Sequence, residues 1–144
     1  MRVQQILKSK ASADVFTVKP GALVSEAAAV LAENRIGGVV VSADGVTAQG
    51  ILSERDIVRE LARTGAGCLA RQVSDFMTRD LVTATVEMRA DEVLGLMTDG
   101  RFRHMPVVED GRMIGLITLG DVVKARLSEL AMEKNALEGM IMGH

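Results

Sequence analysis

Gly50-Ile51-Leu52-Ser53-Glu54-Arg55-Asp56-Ile57-Val58 returns 65 residues later as Gly115-Leu116-Ile117-Thr118-Leu119-Gly120-Asp121-Val122-Val123. In both copies a glycine and two aliphatic residues lead into a hydroxyl residue, and a carboxylate follows three positions on. Working outward, Arg35-Ile36-Gly37-Gly38-Val39-Val40-Val41 parallels Arg101-Phe102-Arg103-His104-Met105-Pro106-Val107, now at an offset of 66. One residue is therefore gained between these blocks in the first copy, where Ser42–Gln49 is one longer than Val108–Ile114. Each of these segments holds an Asp-Gly pair, a hairpin signal because glycine tolerates positive φ. Val15-Phe16-Thr17-Val18 has its counterpart in Leu81-Val82-Thr83-Ala84. Two copies of one small unit imply two equivalent sites.

Each copy reads as strand, helix, strand, strand, helix, which predicts an α+β fold. Acidic pairs or Ser-Glu open the first helices at Ser25-Glu26 and Asp91-Glu92, where negative charge suits the positive end of a helix dipole. The β-branched runs Val39-Val40-Val41 and Pro106-Val107-Val108 read as buried strands. Val3, Ile6 and Leu7 have helical spacing and predict a short N-terminal helix. The expected organisation is an N-terminal helix over 1–11, one repeat over 12–64, a linker over 65–77, a second repeat over 78–127 and a helical extension over 128–144. Units of ~50 residues bury too little alone, so the two should pack on each other about a pseudo-two-fold axis. In the last helix Val123, Leu127, Leu130, Leu137 and Ile141 share a stripe broken by Lys134. That stripe reads either as a seam for a partner helix or as a face packed on its own core.

Composition narrows the function. A net charge of −2 supplies no field for nucleic acid or an acidic membrane, and with no Trp, no Tyr and three Phe the chain lacks stacking platforms for bases. The aliphatic runs fall far short of the ~20 residues of a membrane span, and no secretory leader is visible. Cys68, the one cysteine, forms no internal disulfide and fits a reducing cytoplasm, where the chain is expected to reside. It reads as an incidental thiol beside the Thr64-Gly65-Ala66-Gly67 loop, and the nine methionines read as fillers of core and interface gaps. His104 and the terminal His144 are too few for a metal cluster, so His104 reads as a phosphate-facing or surface imidazole.

The repeated corner carries the chemistry. A hydroxyl where a strand turns into a helix lies beside the free N–H groups of the first turn, a ready anion site. A carboxylate one turn on suits a group with two donors, such as the cis-diol of a ribose. Together they describe a ribonucleotide pocket. Ser-x-x-Asp is equally an ordinary helix cap, and the two roles are compatible. No set of nucleophile, base and orienting group is legible, so no enzyme is expected.

Met105-Pro106-Val107-Val108, the Asp-Gly hairpins and the duplicated Gly-x-x-Ser/Thr-x-x-Asp resemble a tandem pair of CBS domains, a Bateman module of the small stand-alone bacterial type. The resemblance implies sheets packed face to face with flanking helices, and adenosine ligands (AMP, ADP, ATP or NAD(H)) in clefts between the repeats. It also implies pairing of two chains into a disc and signalling by conformational change to a protein partner. Carried over, Ser53 would meet phosphate and Asp56 ribose in the first site, with Thr17, Gly38 and the backbone of Val39 and Val40 at the adenine, and Arg55 as a candidate cation. Thr118 and Asp121 would act likewise in the second, with Thr83, Met105 and Pro106 near the base and Arg103 and His104 against phosphates. The first copy has Gly37-Gly38-Val39-Val40 where the second has Arg103-His104-Met105-Pro106. Two unequal sites are therefore expected, the second favouring phosphate-rich ligands. The other reading is a structural homodimerisation module with vestigial pockets.

Overall fold

The computed structural model describes residues 1–10 and 14–141, so the expected boundary at residues 11 and 12, and His144, lie outside the described residues. Helix α1 spans Val3–Ser9. The first repeat follows as β1 (Thr17–Val18), α2 (Val24–Asn34), β2 (Gly38–Val41), β3 (Gly50–Ser53) and α3 (Glu54–Thr64). The second contains α4 (Ala90–Gly100), β4 (His104–Glu109), β5 (Arg112–Thr118) and the long α5 (Leu119–Ile141). Strand order in the first sheet is β1-β2-β3, with β1 parallel to β2 (Thr17 opposite Val40) and β2 antiparallel to β3 (Gly38 opposite Ser53). The second sheet is the antiparallel pair β4-β5, with His104 opposite Thr118. Its expected outer strand is reduced to one parallel bridge from Ala84 to Val107.

Even the unusual backbone repeats. Helices α2 and α4 both end on an arginine in the left-handed region, Arg35 at φ 53° and Arg101 at φ 55°. That conformation normally favours glycine because of the Cβ.

The two Asp-Gly pairs part company. Asp110 and Gly111 both have positive φ, at 52° and 75°, and join Glu109 to Arg112 in the tight turn the dipeptide predicts. In the longer first connection only Gly45 is positive. There Asp44 instead gathers the N–H groups of Val46 and Thr47 and the Thr47 and Ser42 hydroxyls, a side-chain-built loop. Those donors, the Thr47 amide foremost, hold the Asp44 carboxyl far below its ordinary range.

Alternation along the strands sorts the core. Val39, Val41 and Leu52 face a cluster with Val24, Ala27, Leu31 and Ile57 of the flanking helices. Met105, Val107 and Ile117 do the same with Val93, Met97 and Val122. The opposite faces, carrying Val40, Ile51 and Pro106, are buried too, as sheets packed face to face require.

Neither core is completed by its own repeat. The segment between the repeats, expected as a loop around Gly65, folds into 3-10 turns over Ala66–Ala70 and Val73–Asp75. It buries Cys68 and delivers Val73 to the first core. Helix α1 precedes the first repeat, yet its Val3 and Ile6 fill the second core. Val3 and Gln4 donate backbone bonds to Met88 and Val86 just before α4. This crossing puts α1 against β5, where a Cβ on Gly115 would strike Leu7.

Helix α5 turns Val122 and Ala125 inward, so the stripe is not a face on its own core. Val123, Leu127, Leu130, Leu137 and Ile141 are exposed, the last by 83%. Among the described residues no helix is long and apolar enough to cross a membrane.

Candidate functional site

Each hydroxyl-and-acid corner is built by the same turn from strand to helix. At the first, Asp56 N–H donates to Ser53 Oγ at 3.2 Å, while Ser53 N–H and Oγ–H donate to Asp56 Oδ2 at 2.9 and 3.0 Å. Arg59 approaches Oδ1 at 3.3 Å. At the second, Asp121 N–H donates to Thr118 Oγ1 at 3.2 Å and Thr118 N–H to Asp121 Oδ2 at 2.9 Å. Both are capping boxes, so the capping role is real in both copies. The adjoining backbone matches as well, with Glu54 N–H donating to Gly37 O and Leu119 N–H to Arg103 O, each at 2.9 Å.

What reaches each corner from outside differs. Lys10, which sequence reasoning missed, donates from Nζ to Asp121 Oδ2 and to Leu116 O, both at 2.8 Å. Burial raises the Asp121 carboxyl, but the bonds from Lys10 and Thr118 outweigh it and leave the acid below its ordinary value. In the first repeat the carbonyl equivalent to Leu116, that of Ile51, accepts from the Thr78 N–H at 2.9 Å. A backbone amide and a lysine ammonium thus do the same job in the two halves. The first turn of the helix differs too. Glu54 opens α3 and places a carboxylate beside the corner, whereas Leu119-Gly120 opens α5 without charge.

Both corners open into one continuous cleft of about 1430 Å³, lined by Ser53, Asp56, Thr118, Asp121, Lys10 and Arg103 among others. A pocket for one drug-sized ligand holds up to about 1,000 Å³, so this one is large enough for two small ligands. Of the residues expected in the sites, Gly38, Ser53, Arg55, Asp56, Arg103, His104, Thr118 and Asp121 line it. The other six are not among its lining residues. Val39, Val40, Met105 and Pro106 are buried in the sheets, Thr17 is half-buried on β1, and Thr83 is exposed beside the β4 bridge. The Pro106 carbonyl already accepts from Ala84 N–H at 2.8 Å, and Val40 N–H donates to Phe16 O at 3.2 Å.

His104 lies where the repeats meet, and neither a surface position nor a place wholly in the second corner describes it. It and Gly38 hold equivalent strand positions, opposite Thr118 and Ser53 respectively. A Cβ on Gly38 would sit 2.9 Å from the imidazole Cε1 and Nε2, closer than real contacts allow. The ring therefore fills the space that a side chain at the equivalent position would need. Desolvation pulls its pKa below the ordinary value, Arg103 and Lys10 add to that, and Glu54 and Asp56 oppose it. Among the described residues no cluster of three or more metal-ligating side chains exists.

Fold and site define a duplicated α+β module with a shared cleft between its halves, whose polar corners are two helix starts. The CBS domain family matches residues 3–63 and 73–128, and the chain belongs to it. It is similar to a CBS-domain containing protein of Agrobacterium tumefaciens of known structure, at 45% identity and TM-score 0.83 over 88% of this chain and 99% of that one. It is 36% identical over 83% of its length to the mitochondrial CBS domain-containing protein CBSX3 of Arabidopsis thaliana, of which it spans only 60%. A CBS domain pair solved in complex with 5′-methylthioadenosine and S-adenosyl-L-methionine shares 25% identity and a TM-score of 0.77, over 90% of this chain and 98% of that one.

Proposed function

We propose that the chain is a non-enzymatic regulatory module of the cytoplasm that binds adenosine nucleotides (AMP, ADP, ATP or NAD(H)) in this cleft and signals to a protein partner. The observation carrying the reading is the pair of capped carboxylate corners facing one cleft with cations beside them. Ser53 and Thr118 would hold phosphate with the first-turn amides, and Asp56 and Asp121 would accept from ribose hydroxyls. Arg103 and Lys10 stand near the second corner, and Glu54 opposes phosphate at the first, which supports unequal sites. Thr17, Thr83 and the strand segments around Val39, Val40, Met105 and Pro106 would shape the base end through backbone groups. Ligand binding across the cleft would favour whichever arrangement of the repeats it fits better, by its differential affinity alone. The related CBS pair with two adenosine-derived ligands supports this ligand class.

The test is calorimetry with AMP and 2′-deoxy-AMP. AMP should bind, and loss of the 2′-hydroxyl should weaken binding about tenfold or more, as expected for a hydrogen bond to a charged acceptor. No heat and no thermal shift with AMP, ATP or NADH at millimolar concentration would remove the proposal.

A second reading, a homodimerisation module with vestigial pockets, is favoured by one observation, the exposed apolar stripe of α5. Two copies pairing along that stripe would cover it. It predicts that Asp56→Ala with Asp121→Ala leaves sedimentation as a dimer and partner capture unchanged.

A further inference from the structure

We infer that Lys10 sets the ligand selectivity of the second corner. Its ammonium holds Asp121 until a ligand's own anionic group takes the ammonium over, so this corner selects adenosine ligands with a negative 5′ substituent over neutral ones. The inference rests on the adenosine reading above and deepens it.

The geometry sets up a competition. A cis-diol offers two O–H donors and needs both oxygens of a carboxylate. At Asp121, Oδ2 already accepts both the Lys10 ammonium at 2.8 Å and the Thr118 N–H at 2.9 Å, which leaves it no free lone pair for a diol. The diol can dock fully only when that ammonium moves. Lys10 and Asp121 side chains are 23% and 24% exposed, so a displaced ammonium does not simply pass into bulk water. A phosphate brought by the same ligand gives it a new counter-charge, and Lys10 lies on the wall of the cleft that the phosphate would enter. Adenosine or 5′-methylthioadenosine brings no such group and leaves the cation unpaired in a partly buried place, which is costly.

The first corner is a built-in control. There the atom equivalent to Asp121 Oδ2 accepts from the Ser53 hydroxyl, and the Ile51 carbonyl accepts from the Thr78 amide. Both donors are neutral. Arg59, which touches Asp56 Oδ1, is 67% exposed and can release the acid into water without a ligand's help. No exchange of ion pairs is therefore demanded at Asp56.

The test measures AMP, adenosine and 5′-methylthioadenosine by calorimetry in an Asp56→Asn background, which weakens the first corner, with and without Lys10→Met. The AMP-to-adenosine affinity ratio should fall about tenfold in Lys10→Met, chiefly through tighter adenosine and 5′-methylthioadenosine. Lys10→Arg should keep the ratio. If Lys10→Met does not fold, Lys10→Gln, which retains a donor for the Leu116 carbonyl, is read in the same way. A ratio unchanged within twofold overturns this inference and leaves the adenosine reading standing. No binding of any of the three ligands overturns both.

Discussion

The corner at Ser53 and Asp56 and the corner at Thr118 and Asp121 share a motif, a cap and a strand register, yet they present different chemistry to the cleft. The difference comes from what arrives through space. Beside the first corner runs the segment between the repeats, which donates a backbone amide from Thr78 to Ile51. Beside the second runs the end of α1, which donates an ammonium from Lys10 to Leu116 and Asp121. A duplication copies the sequence within each unit, but the segments that flank the two units are not copies of each other. The two neighbours of the equivalent carbonyls therefore differ, and with them the sites.

Close to the pseudo-axis the asymmetry is forced outright. Gly38 and His104 hold equivalent positions and touch, so a large side chain at one excludes even a methyl at the other. Gly38→Ala is the perturbation with the largest expected effect. Its Cβ would lie 2.9 Å from the ring, and overpacking of this kind costs about 1–3 kcal/mol. His104→Ala should restore most of that loss in the double variant. Chemical denaturation of the four proteins in the cycle measures it. Simple additivity of the two changes would show that the ring does not occupy the space assigned to it.

A second pair of equivalent glycines sharpens the same contrast. A Cβ on Gly50 would meet Met77 Sδ at 2.6 Å and the Thr78 carbonyl at 3.0 Å, whereas one on Gly115 would meet only the Leu7 side chain, at 2.7 Å. Leu7 can change rotamer, and the Thr78 carbonyl cannot move without breaking its strand bridge to Ile51. Gly50→Ala should therefore cost roughly 1–2 kcal/mol more than Gly115→Ala in the same denaturation experiment. Equal costs would mean that α1 is as rigid a neighbour as the bridged segment.

Much of this architecture is legible in the amino-acid sequence alone. The 65-residue and 66-residue offsets locate both strands, both corners and the extra residue of the first connection. What that residue does is not legible. The same dipeptide makes a tight turn at Asp110-Gly111 and a side-chain-centred loop at Asp44, because the longer segment lets the carboxylate collect amides beyond it. The corners read as caps or as sites, and the caps are both present. Lys10 leaves no signal, since its partner Asp121 lies 111 residues away in the repeat that does not adjoin α1 in the chain. His104 can be named, but its place against Gly38 depends on how the two units meet, which no pattern within one unit encodes.

The smallest expected effect concerns the charge of that ring. His104 packs from β4 against Gly37 and Gly38 of the other repeat, facing Glu54 and Asp56 of α3, with Arg103 next to it in the chain and Lys10 just past α1. Burial is the leading cause that lowers its pKa from the ordinary 6.5. A lowered value means that the unfolded chain takes up this proton before the folded one does. Stability from His104 is thus fully present above about pH 6.5 and falls as pH drops through that value, levelling off below the folded pKa. Asp121, also lowered, adds its loss only in the carboxylate range, from about pH 4 downward. The midpoint of thermal unfolding should accordingly decline between pH 7 and pH 5 in the parent protein and stay flatter in His104→Gln. Parallel curves for the two would mean that Glu54 and Asp56 compensate the ring's desolvation fully, and that the place where the repeats meet is electrostatically neutral to protons.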